Sequence, residues 1–416
     1  MNGIPPVIDP DENAPEGDAF YTPPSPLPAG VPGDPVYARR LDNDAAALEA
    51  GENWLVLYRS QDVRGGAVAT SGIIALPNRD EHPVPEGGYP LVSWAHGTVG
   101  VANLVAPSRD RGDTGASPMN ASPNDLLNAF LRRGWAVAMT DYEALGTGTE
   151  EHIHPYLLGA SEANGVLDIV LAARRLFMGA VGEKYAIVGH SQGGQAALFA
   201  AHHAPERVER NLVGVAAIAP SNHVLGLVRI GARDENTGEG FAFTPLFLAG
   251  AIGGEPSIEP SEVLTDEALL LWPQARRLSR AELSGEESWG GIKGSDQFRG
   301  TYPALPNPHQ QLFDQQLDAM NPNLEIRVPV RITQAEDDQR VKASLPFPFK
   351  GTDDLVKELD TTNGKHGIKV EYKRFDEGDV DVPQTEPQKT LGVHFATINH
   401  DAGALTDWIH ERFTRT

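Results

Sequence analysis

Apolar positions along this chain follow two rhythms. Short runs rich in β-branched residues read as strands: Trp54–Arg59 (WLVLYR) and Val68–Leu76 (VATSGIIAL), joined by the Gly-rich DVRGG as a hairpin, then Pro90–Trp94, Trp135–Thr140, Tyr185–Val188 and Leu212–Ile218. Between them lie stretches with helical spacing. Asn124–Arg133 is stopped by Gly134, Ser161–Met178 opens on a serine and ends before Gly179, and Gln192–Ala204 is rich in small residues. Strand alternating with helix predicts an α/β architecture, a mostly parallel central sheet with helices on both faces.

The rhythm breaks after Ile218. Residues 220–325 mix helical patches such as VLTDEALLLWPQARRL with loops rich in Gly and Pro. It resumes with strands at Val328–Gln334 and Val370–Phe375 and closes on a helix at Ala402–Phe413. A long interruption inside a sheet reads as a cap over a site rather than as a structureless loop. The expected organisation is an extended N-terminal arm over 1–35, marked by Pro23, Pro24, Pro26, Pro28, Pro32 and Pro35, then a core in two parts (36–219 and 326–416) with the cap or lid inserted at 220–325.

Composition narrows the chemistry. The 57 acidic against 34 basic residues give a formal charge of −23, which repels nucleic acid and anionic lipid surfaces, so no nucleic-acid partner is expected. With no cysteine, thiolate nucleophiles, zinc–thiolate sites and disulfides are excluded. The longest apolar stretch, Phe241–Ile252, is too short to span a membrane and contains Pro245 and Gly250. It could line a pocket in the cap or form part of a buried core. The first residues (MNGIPPVIDPDENAPEGD) lack the basic start and apolar middle of a secretion leader. That leaves two expectations, an intracellular protein or one whose leader has been removed.

One motif carries the chemistry. Gly189-His190-Ser191-Gln192-Gly193 fits G-x-S-x-G between the apolar run YAIV and a small-residue helix. Such a strand–turn–helix lifts a serine hydroxyl above the sheet, and the glycines allow the sharp turn. This predicts Ser191 as a nucleophile on the α/β-hydrolase fold, with His190 serving in packing. His96-Gly97-Thr98, after the strand at 90–94, is the expected oxyanion turn. Gly97 and Thr98 would supply backbone N–H donors together with Gln192.

Chain order in this fold is Ser, then acid, then His. Glu336, Asp337 and Asp338 follow the strand at 328–334. Asp338 is the expected acid, with Asp337 as the alternative. The base belongs in a loop before the last helix, where His394 and His400 both stand. His394, just after Gly392, has the freer position, whereas His366 precedes the last strand and fits less well. His152 and His154 could suggest a metal, but their HPY context reads as a loop. Neither a metal nor an organic cofactor is expected for a Ser-His-Asp mechanism.

Several further segments resemble the secretory lipase family: FYTPP (20–24), AGVPGDPV (29–36), VLYRSQD (56–62), SWAHGTVG (93–100), APS (106–108), TDYEALGTG (140–148), HPYL (154–157), GHSQGGQAAL (189–198) and QAEDD (334–338). The resemblance runs from about residue 19 to 413 in the family's order. It implies a hydrolase of carboxylic esters with an inserted cap, acting on a small-molecule or lipid ester, and it implies secretion, with a cytoplasmic location as the alternative. It puts the nucleophile at Ser191, the acid at Asp338 and the base at His394. Val105 stands where the family has a cysteine before APS, and Ala335 where it often has glycine. Polyester or aromatic-ester hydrolysis, or acyl transfer to an alcohol, would use the same residues. The oligomeric state is not legible.

Overall fold

The computed structural model describes residues 14–41, 45–149, 152–208 and 211–415. The part of the expected N-terminal arm that covers residues 1–13 lies outside them. From Ala14 to Pro35 the chain runs without regular structure except for a short 3-10 turn at Gly17–Tyr21. Phe20 in that turn is fully buried among Leu55, Leu57 and Ile73.

The sheet, among the described residues, has nine strands: β1 Pro35–Arg40, β2 Gly51–Gln61, β3 Ala67–Pro77, β4 Tyr89–Ala95, β5 Ala136–Thr140, β6 Val181–His190, β7 Leu212–Ile218, β8 Val330–Ala335 and β9 Val370–Phe375. Their spatial order is β1-β2-β3-β5-β4-β6-β7-β8-β9. β1, β2, β3 and β5 pair antiparallel, while from β5 to β9 every pair is parallel. β2 and β3 form the expected hairpin, Leu55 opposite Ile73. β4, β6 and β7 are apolar and buried because helices cover both faces, as parallel strands require. Helices Gly159–Leu176 and Gln192–Arg207 pack together on one face, and Asn124–Arg132, Gln388–His400 and Ala402–Thr414 cover the other.

Two helices differ from the sequence reading. The helix expected to open at Ser161 begins at Gly159, and the Ser161 hydroxyl donates to Glu143 instead of capping the helix. His394, expected in a loop, lies in helix Gln388–His400. That helix is broken at Gly392, whose φ of 70° and ψ of −167° are non-helical. The glycine expected to leave His394 free in a loop is here a kink between two helical pieces.

Between β7 and β8 no strand occurs among the described residues. Helices Val224–Gly231, Thr244–Gly254 and Pro308–Ala319, with shorter turns, bury a core of their own that includes Leu246, Leu248, Trp289, Phe313 and Leu317. Asn307 caps Pro308–Ala319, its side chain accepting from Gln310 N–H at 2.9 Å while Gln310 returns the bond at 3.0 Å. No described helix is long and apolar enough to cross a membrane.

Candidate active site

The chain reverses direction across the sheet at β4, with β5 on one side and β6 on the other. Ligands of open α/β sheets bind beyond the carboxyl ends of strands at such a point. β4 and β6 end in register, Ala95 opposite Gly189, so whatever follows each strand meets the other. Ser191 follows β6 and His96-Gly97-Thr98 follows β4.

Ser191 sits at φ 58° and ψ −118°, a backbone conformation rare for a side-chain-bearing residue, directly before helix Gln192–Arg207. Its N–H donates to Ile218 O at 2.9 Å, and its carbonyl accepts from Ser221 N–H at 3.0 Å, so β7 and the segment after it hold the bend in place. The bend needs glycine: a Cβ on Gly189 would strike the Gly193 carbonyl, and one on Gly193 the Ala95 carbonyl. Gly97 is near enough that a Cβ built there would lie 3.5 Å from Ser191 Cβ. The backbone N–H groups of Thr98 and Gln192 donate to no acceptor among the described residues.

Gln192 is held by His154, which sequence reasoning weighed only as a metal ligand, and by Glu162, which it did not single out. Its side-chain amide donates to His154 Nε2 at 2.8 Å and to Glu162 Oε1 at 2.7 Å, and all three side chains are buried. His154 Nδ1 bonds the Glu143 carbonyl at 2.9 Å, which leaves Nε2 as the acceptor. His152 bonds Glu143 Oε1 at 3.0 Å, so this histidine pair is occupied with Glu143 and Gln192. Among the described residues no cluster of three or more His, Cys, Asp or Glu could hold a metal. The HPYL segment was the available signal for His154. Thr98 is fixed in turn by Tyr156, hydroxyl to hydroxyl at 2.8 Å.

Asp338 and His394 are joined, Nδ1 to Oδ2 at 2.7 Å, and both are buried. The other Asp338 oxygen accepts from the N–H groups of Arg340 at 2.8 Å and Val341 at 2.9 Å. Burial alone would raise this carboxyl. The adjoining His394 and the two N–H groups outweigh burial and hold it below the usual carboxylate range. Asp337 instead accepts from Gly378 N–H at 3.3 Å, and Glu336 pairs with Arg374. His400 is exposed and packs edge-on against Phe375, while His366 pairs with Glu325. His190 is buried, its Nε2 bonding the His394 carbonyl at 3.0 Å with the two rings 4.4 Å apart. Burial and the neighbouring His394 push its pKa well down, so it serves as a neutral brace between the Ser191 bend and His394. No hydrogen bond joins the Ser191 hydroxyl to the His394 ring. Such bonds are often open before substrate arrives.

Gln339 completes the arrangement. Its amide donates to Leu391 O at 2.9 Å and accepts from His394 N–H at 3.3 Å, bridging the break at Gly392. Only a glycine fits there, both for its positive φ and because a Cβ would strike that amide.

A cavity of about 500 Å³ opens on Ser191. Tyr156 and Val341 from the sheet side and Phe241, Phe243 and Phe247 from the insertion form its apolar wall. The stretch Phe241–Ile252 therefore does both of the things expected of it, since Leu246, Leu248 and Ala251 are buried in the insertion's core. Three resemblance motifs converge nearby: Tyr21 OH donates to Ser108 O at 2.8 Å, and Ser108 N–H (2.9 Å) and Ser71 Oγ (2.6 Å) donate to Asp141.

Fold and comparisons together define the class of architecture, the α/β-hydrolase fold. The particular likeness is to the secretory lipases, whose family model, described as Secretory lipase, matches residues 122–258, in agreement with the resemblance carried by the motifs. Among solved structures, the rice cell wall degrading esterase LipA from Xanthomonas oryzae superposes with a TM-score of 0.68 at 18% identity, covering 91% of this chain and 100% of that one. Candida antarctica lipase A in its closed state superposes with a TM-score of 0.65 at 16% identity, covering 87% and 82%. No protein with a curated description matches the sequence.

Proposed function

We propose that the chain hydrolyses carboxylic esters through Ser191, His394 and Asp338 and an acyl-enzyme intermediate. The observation that carries this reading is the buried Asp338–His394 pair braced through His190 against the strained Ser191 bend. His394 takes the proton of Ser191 as its oxygen attacks the ester carbonyl. Asp338 holds the Nδ1–H and stabilises the imidazolium. The N–H groups of Gln192 and of the Gly97–Thr98 turn receive the oxyanion, aided by the positive end of helix Gln192–Arg207. His394 then protonates the leaving alcohol, and water it activates releases the acid. The insertion at 220–325 acts as the cap whose phenylalanines shape the acyl pocket. The family likeness favours an exported enzyme.

The test compares wild type with Ser191→Ala on p-nitrophenyl esters from acetate to palmitate. A loss in kcat on the order of 10⁵ or more is expected. Comparable turnover by both proteins would end the assignment, and the wild-type chain-length profile separates esterase from lipase.

A further inference from the structure

The cavity wall also carries two arginines that the mechanism does not use. Arg280 comes from the insertion and Arg340 from the loop after β8, and both face the space above Ser191. Arg280 is 3% exposed. A guanidinium carries five N–H donors. Among the described residues those of Arg280 reach only Glu239, its carboxylate and its carbonyl, each at a long 3.3 Å, and the buried Nε–H meets no acceptor. Arg340 makes no side-chain hydrogen bond among the described residues. Its nearest carboxylate is the same Glu239, at 3.9 Å. The rest of each cation lies on an aromatic ring, Arg280 over Phe243 at 4.6 Å and Arg340 over Phe395 at 5.0 Å.

One half-exposed carboxylate thus serves two cations, Arg280 buried and Arg340 largely so, and most of their donors are empty. Burial and mutual repulsion push Arg340 down to about 10. Two adjacent, under-neutralised cations withdrawn from solvent are costly in a protein unless something compensates them. In a chain of net charge −23 they could have been neutralised readily by acidic neighbours. The other basic residues on the wall are already engaged: Lys342 donates to Asp338 O at 2.9 Å and Lys350 to Glu358 at 2.6 Å.

We infer that Arg280 and Arg340 form a carboxylate-binding subsite, so that the preferred substrate is an ester bearing a second, free carboxylate. The planar fork of each guanidinium suits a carboxylate, and the phenylalanine wall suits the methylene chain linking it to the ester. Glu239 holds the cations apart from substrate when the site is empty and competes with the substrate's carboxylate for them. The inference rests on the ester-hydrolase reading and names its substrate class.

The experiment sets mono-p-nitrophenyl adipate against p-nitrophenyl hexanoate, which differ in the terminal carboxylate. A second pair places the charge on the alcohol side: the butyryl ester of 4-hydroxybutyrate against butyl butyrate. Wild type should show a kcat/KM at least roughly tenfold higher for the charged member of one pair, expressed in KM, as a charge-assisted contact allows. Arg340→Gln and Arg280→Gln should bring that ratio toward one, Arg340→Lys should restore part of it, and Glu239→Gln should raise it. A wild type without preference in either pair overturns the inference, and so does a preference that survives both arginine substitutions. Adipate binding to Ser191→Ala, measured calorimetrically, keeps the two readings apart. If wild type hydrolyses neither ester, the function assigned to Ser191 fails. If it hydrolyses the neutral esters and adipate does not bind, only the subsite fails. Should an arginine variant not fold, the wild-type ratio and the Glu239→Gln ratio still decide.

Discussion

The two walls of the cavity differ in how their polar groups are satisfied. On the sheet side the side chains around Ser191 are fixed by short hydrogen bonds, Asp338 by His394 and two backbone donors, the Gln192 amide N–H by His154 and Glu162, and the break before His394 by Gln339, although Gln192 Oε1 and Glu162 Oε2 stay buried without a partner among the described residues. On the insertion side Arg280 leaves Nε–H without an acceptor and leans on a half-exposed glutamate. A reacting centre must be held fixed, because small misplacements are costly in rate. A recognition surface has to leave donors free for a ligand. The contrast predicts that substitutions among the tightly bonded sheet-side groups damage rate or folding, and that substitutions at the insertion wall and at Arg340 alter preference.

The largest effect expected in testing this contrast is at Asp338, the proposed acid. Asp338→Asn leaves the shape intact but accepts the Nδ1–H of His394 poorly, and a loss of kcat on the order of 10⁴ is expected. Asp337→Asn, directed at Gly378, should stay within a few-fold of wild type. Equal losses at both positions would mean that the loop after β8 matters for folding rather than through one carboxylate.

A second test concerns folding on the sheet side. His96, buried at the start of the proposed oxyanion turn, is pushed by burial from 6.5 down to about 4. In the unfolded chain it protonates near pH 6.5. Between those values the unfolded state therefore binds more protons, and stability must fall as pH drops through this window. The size is on the order of 3 kcal/mol for His96. Asp141, raised by burial, acts in the opposite sense, so the informative quantity is the difference between wild type and His96→Asn in urea unfolding across the window. A difference that does not change with pH would show that His96 protonates as freely folded as unfolded.

How much of this was legible in the sequence follows the same division. Ser191 was readable because its bend needs local features only: an apolar strand, two glycines and a small-residue helix in immediate succession. Asp338 and His394 were readable as candidates from chain order, but choosing between Asp337 and Asp338 requires knowing which side of the loop faces β9. The helical setting of His394 was hidden because a glycine two residues before it suggests loop freedom. It is tolerated inside a helix only because Gln339, from a distant loop, supplies the missing hydrogen bonds. Arg280 and Arg340 gave no signal at all. They are distant in sequence and meet only across a cavity formed when the insertion docks on the core. Local pattern specifies elements and bends, whereas pairings across the sheet-insertion boundary depend on tertiary packing.

The smallest expected effect sharpens the insertion side. Phe247 lies in helix Thr244–Gly254, 9% exposed, with its ring 5.8 Å from Tyr156 and 6.1 Å from Phe243. Phe247→Leu keeps an apolar residue and removes ring volume at the cavity wall, so the stability cost should be modest, about 1 kcal/mol. The vacated space lies where an acyl chain would run. The p-nitrophenyl series should therefore shift its optimum toward longer esters, by a few-fold in kcat/KM, with little change in kcat on the shortest. A uniform fall across all lengths would instead show that this ring supports the catalytic geometry through Tyr156 and Thr98. The insertion would then belong with the fixed machinery rather than with recognition, and the contrast between the two walls would fail.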